Sequence, residues 1–90
     1  MLVNPTHAGR LIRKLAREGR YRITDYCAHR MLARGVAAGE VRAVLASARE
    51  YRAEEHGRWR VDGEELTLIV EIRANVIVVT VFRGDEDEDE

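Results

Sequence analysis

The sequence predicts an α+β domain: three helices and a mostly antiparallel sheet, with the helices packed on one face. Three observations carry that prediction. Apolar residues recur at helical spacing through the first half of the chain. From about residue 50 they follow the two-residue period of strands. Glycines and hydroxyl or amide capping residues mark the changes between segments. The expected order is a helix followed by β-α-α-β-β-β-β. Ninety residues suffice for one modest core, so residues 1–84 are assigned to a single domain.

The first helix is expected in "NPTHAGRLIRKLAREG". Thr6 is its candidate N-cap after a turn at Asn4-Pro5. Ala8, Leu11, Ile12 and Leu15 fall at i, i+3, i+4 and i+7, and Gly19 suits the left-handed position after the last turn. The opposite side is basic: Arg10, Arg13, Lys14 and Arg17. "YRI" (21–23) is a short strand. Thr24 caps a second helix over about 25–34, which Gly35 ends; Cys27 and Met31 define its core side, with Ala28 and Leu32 beside them. A third helix covers about 38–48, where Val41, Val44, Leu45 and Ala48 repeat the apolar spacing.

The period then changes. "REYRAEE" and "RWRV" read as two strands around a turn at His56-Gly57, and "DGEE" marks the next turn. "LTLIVEIR" puts Leu66, Leu68, Val70 and Ile72 on one face and Thr67, Ile69 and Glu71 on the other. "NVIVVTVF" is apolar on both faces apart from Thr80, the pattern of a central strand.

Composition narrows the function classes. With 46% hydrophobic and 34% charged residues the chain reads as soluble. No apolar run approaches the ~20 residues of a membrane span, and no secretory signal is evident, so no membrane role and a cytoplasmic location are expected. Cys27 stands alone, which excludes an internal disulfide, and His7, His29 and His56 fit no metal-ligand spacing. No phosphate-binding glycine loop, nucleophile elbow or CxxC is present, so neither metal nor cofactor is expected.

The net charge of −1 conceals an asymmetry. The run 85–90, "DEDEDE", holds 6 of the 16 acidic residues; residues 1–84 therefore carry 15 basic against 10 acidic side chains. All the basic residues except Lys14 are arginine, a type that grips phosphate with two parallel hydrogen bonds but that a GC-rich genome also favours. The acidic run is expected to be disordered. It can solubilise the chain, screen the basic surface as an internal competitor for phosphate, or dock on a basic partner.

On the second helix Tyr26, Arg30 and Arg34 share a stripe at i, i+4 and i+8, next to the inward stripe of Cys27 and Met31. Periodicity allows two readings: a cleft-facing site, or a tyrosine at the helix–sheet seam beside solvated arginines. The stretch "ITDYCAHRMLARGVAAGEVRAVL" resembles, in register, the bacterial domain of unknown function 4258, which is related to the BrnT and RelE-type toxins of toxin–antitoxin systems. Cys27, Arg30-Met31, Arg34-Gly35-Val36 and Glu40-Val41 carry the match, which spans residues 21–83 with "VIVVTVF" as the closing strand.

That resemblance implies a RelE/BrnT-like fold and a metal-independent endoribonuclease, with RNA as substrate and a cognate antitoxin as protein partner. Basic and hydroxyl side chains would orient the 2′-hydroxyl and stabilise the pentacovalent phosphate. Where the family has histidine, this chain has Tyr26. A tyrosine titrates near pH ~10 against ~6.5 for histidine, so the change disfavours acid–base catalysis while preserving hydrogen bonding and base stacking. Tyr26, Arg30 and Arg83 are the catalytic candidates, and Arg34, Arg58 and Arg60 the candidates for binding nucleic acid. In "GRWRV" both arginines share a strand face opposite Trp59; they can grip phosphate or simply face water while Trp59 packs on the helices. The alternative from another class is a non-catalytic module that binds a protein or nucleic acid through its basic surface.

Overall fold

A computed structural model describes residues 4–83. The acidic run 85–90, expected to be disordered, lies outside the described residues. The elements follow the expected order: α1 (Pro5–Arg17), β1 (Tyr21–Ile23), α2 (Asp25–Arg34), α3 (Ala38–Ser47), β2 (Glu50–Ala53), β3 (Trp59–Asp62), β4 (Leu66–Ile72) and β5 (Val76–Arg83). A single 3₁₀ turn, Glu55–Gly57, joins β2 to β3.

Local chemistry sets the helix ends. α1 is capped by Asn4 rather than Thr6: the Asn4 Oδ1 accepts from the His7 N–H at 2.7 Å. Pro5 fits the first helical position, where a missing N–H costs nothing, and this moves the cap back two residues. Thr24 caps α2 as expected, its Oγ1 accepting from the Cys27 N–H at 3.1 Å. Gly35 ends α2 in the left-handed region, φ 66°. At α3 the Glu40 carboxylate accepts from the Ala37 N–H at 2.9 Å, satisfying a donor at the helix start.

The sheet order is β1-β5-β4-β3-β2, with β1 parallel to β5 and every other pair antiparallel. Trp59 pairs with Val70 and Val61 with Leu68, so their side chains share the face that meets Ile12, Val41 and Leu45 in one core. Thr67, Ile69 and Glu71 take the other face, as the two-residue period requires. On β5 the register slips: Ile69 pairs with Thr80 but Val70 with Val78, leaving Val79 as an extra residue. This bulge turns both Val78 and Val81 toward the core and puts Thr80 beside Ile69 on the open face.

β5 poses a backbone problem that α2 solves. β1 pairs only with Val76–Val78, so the remainder of that edge of β5 has no strand beside it. The Thr24 N–H donates to the Val78 carbonyl at 3.1 Å and the Thr24 Oγ1 to the Val79 carbonyl at 3.1 Å. Further along, the Arg30 Nε donates to the Val81 carbonyl at 3.3 Å. Lying along an edge, α2 covers only the stripe Cys27, Arg30 and Met31. Leu32, expected near the core, is therefore 84% exposed, and Ala28 is exposed too. Among the described residues no helix is long and apolar enough to cross a membrane.

Candidate functional site

The α2 stripe divides, in the reverse sense to a seam tyrosine beside solvated arginines. Tyr26 is 60% exposed, but Arg30 is only 8% exposed. The Arg30 guanidinium lies 5.7 Å from the Tyr26 ring centroid and 5.4 Å from that of Phe82, and its Nη1 donates to the Tyr26 hydroxyl at 3.4 Å. The reading of Arg30 as an exposed group is corrected: its long stem carries the guanidinium to an edge carbonyl that no strand satisfies.

Arg83 serves the same seam from the other side. Its Nη2 donates to the carbonyls of Gly35 at 2.8 Å and Arg34 at 3.2 Å, and its Nη1 to Glu40 at 3.5 Å. These are the carbonyls left open at the end of α2, where a cation also complements the helix dipole. Arg34 is half-buried and enters this seam through its main-chain oxygen. Tyr26, Arg30, Arg34 and Arg83 therefore gather where α2 meets β5.

Arg58 and Arg60 lie elsewhere, on and beside β3, with the whole of β4 between them and β5. Trp59 is in the core and the two arginines are on the opposite face, as the sequence indicates. Both meet carboxylates: Arg58 Nε is 2.9 Å from Glu71, and Arg60 is 3.5 Å from Asp62 and 4.0 Å from Glu54. Hydrogen bonds from Arg58 and then Arg73 hold the Glu71 carboxyl below its usual 4.5. Their positive charge is balanced locally.

His7, His29 and His56 are all exposed, on α1, the outside of α2 and the 3₁₀ turn. Burial pushes the Cys27 thiol up to about 11 against the opposing pull of Arg30, so it stays protonated and inert. Among the described residues no group of three or more His, Cys, Asp or Glu could hold a metal ion. Among the described residues the buried Thr80 Oγ1 has no hydrogen-bond partner.

The uncompensated charge lies on α1. Its solvent side carries Arg10, Arg13, Lys14 and Arg17 in one stripe, and no acidic residue occurs in the helix. Arg13 donates to the Tyr51 hydroxyl and the Ala48 carbonyl, and Arg17 to the Ala46 carbonyl, all neutral partners. Arg10 and Lys14 are exposed and meet no carboxylate among the described residues. The basic face was legible in the sequence; its freedom from carboxylates was not. No protein-family model, curated protein or solved structure matches the chain.

Arg30→Ala removes the donor to the Val81 carbonyl together with a packed stem. An unsatisfied buried carbonyl alone costs about 1–3 kcal/mol, so a loss of about 2–4 kcal/mol in denaturant unfolding is expected. A loss below about 0.5 kcal/mol, the scale of ordinary surface substitutions, would remove Arg30 from the edge-capping role.

Proposed function

We propose that this chain is a non-catalytic nucleic-acid-binding module that holds the phosphate backbone of RNA against α1. The observation that carries the reading is the four-cation stripe of α1, which no carboxylate of its own helix offsets and which packing of Ala8, Ile12 and Leu15 turns toward solvent. Phosphate contacts of this kind supply affinity through counterion release and carry little sequence information. Rigid placement on a helix anchored to α3 and β2 lowers the ordering cost of the grip. The RNA assignment, rather than DNA, draws on the toxin-like resemblance of residues 21–83.

A second reading, a toxin-like ribonuclease on the open sheet face, is favoured by one observation. The unpartnered Thr80 hydroxyl belongs to a row across three strands, Arg60, Ile69 and Thr80, where a buried polar group without a partner asks for an explanation. On this reading Thr80 orients a phosphate oxygen and the arginines stabilise the phosphorane. Cleavage of RNA by the purified chain that disappears in Thr80→Val would support it; an absence of cleavage by the native chain would eliminate it.

Binding of a fluorescent single-stranded RNA, followed by anisotropy across a salt series, tests the first reading. Four contacts predict a slope of log K against log[salt] of about −3, at about −0.7 per phosphate on a single strand. Replacing Arg10 and Lys14 together by alanine is expected to reduce the slope by about 1.4 and weaken binding about tenfold at moderate salt. An unchanged slope in that double variant would contradict the proposal.

A further inference from the structure

Beside the basic stripe, a cleft of about 630 Å³ opens between the first turns of α1 and the start of β2. That size is ordinary for a small-ligand site, which typically spans about 300–1,000 Å³. Arg13, Arg49 and Arg52 line it, with Glu50 the one carboxylate among the lining residues. We propose that this cleft is a binding site for a terminal phosphate group, carried either by a free nucleotide or by the 5′ end of a nucleic-acid strand.

The arrangement is built rather than incidental. Tyr51 seats its ring against Gly9, where a Cβ would stand 2.6 Å from the ring edge, so the bare glycine is what admits the ring beneath α1. The Tyr51 hydroxyl donates to the Ala48 carbonyl at 2.8 Å and accepts from the Arg13 Nη1 at 3.2 Å. Arg13 also lies 5.6 Å from the Tyr51 ring centroid. One edge of its guanidinium is thereby fixed, and its Nε and Nη2 make no hydrogen bond with the described residues. A guanidinium held this way has met much of its ordering cost before a ligand arrives.

Charge selects the ligand class. Arg49 has no hydrogen bond or ion pair among the described residues, unlike Arg52, Arg58 and Arg73, which all meet carboxylates. Arg52 is held by Asp62 at 3.2 Å, so Arg13 and Arg49 are the two lining guanidinium groups that meet no carboxylate among the described residues. A terminal phosphate carries about −1.5 to −2 at neutral pH, whereas a backbone diester carries only one negative charge, so a terminal group can engage both Arg13 and Arg49. The proposal extends the nucleic-acid reading to a particular end of the strand, but the nucleotide arm of its test stands even if RNA fails to bind α1.

Calorimetric titration of the full chain with AMP, and separately with adenosine, tests the phosphate requirement. A preference for AMP of at least tenfold is expected, with a loss of at least fivefold in Arg49→Ala. Glu50→Gln removes the opposing carboxylate and is expected to tighten AMP about threefold, a gain that misfolding cannot produce. A matched pair of hexanucleotides with 5′-phosphate or 5′-hydroxyl ends separates the sources: a 5′-phosphate preference that Arg49→Ala removes assigns the site to strand ends, and equal binding of the pair assigns it to free nucleotides. Equal affinity for AMP and adenosine, or AMP binding indifferent to both Arg49→Ala and Glu50→Gln, would overturn the proposal.

Discussion

The unpaired edge of β5 is the constraint on which much of the molecule depends. A strand this apolar has to be buried, yet β1 covers only its first residues. Buried backbone groups need partners, and an open edge invites unwanted pairing with another chain. α2 resolves both problems by running along the edge and extending Thr24 and Arg30 to the carbonyls of Val79 and Val81. Arg83 then ties the end of β5 back to the last turn of α2. The motif that the sequence singles out is therefore also the motif that closes the sheet, and Arg30 and Arg83 are committed to the fold before any ligand is considered.

This explains which parts were legible in the sequence. Alternation in "LTLIVEIR" and the placement of Trp59 opposite Arg58 and Arg60 follow from strand geometry alone, and the structure reproduces them. The Thr24 cap and the Gly35 stop are local and were equally readable. What failed was non-local. The spacing of Tyr26, Arg30 and Arg34 defines a stripe but not what that stripe meets, and the Arg30 acceptor lies 51 residues away in sequence. Leu32 was misplaced for the same reason, because a helix along an edge buries a narrower face than one lying across a sheet. The bulge at Val79, which sets the position of Thr80, leaves no mark in an unbroken apolar run.

Charge obeys the same division. Composition revealed an excess of arginine, but strand register decides which arginines find carboxylates. Arg58 and Arg60 reach Glu71 and Asp62 because β3 and β4 bring them together, whereas α1 offers its four cations no acidic neighbour of its own. The cations that no carboxylate offsets thus lie away from the seam that the sequence emphasises, on α1, which packs against α3 and β2 toward the other end of the sheet.

The most direct test of that displacement is a map of amide chemical-shift changes as a short single-stranded RNA is titrated into the native chain. The account predicts that the largest changes fall on α1, at Arg10, Lys14 and Arg17. Changes concentrated instead at Tyr26, Arg58 and Arg60, with α1 silent, would contradict it and return the binding surface to the seam and the sheet.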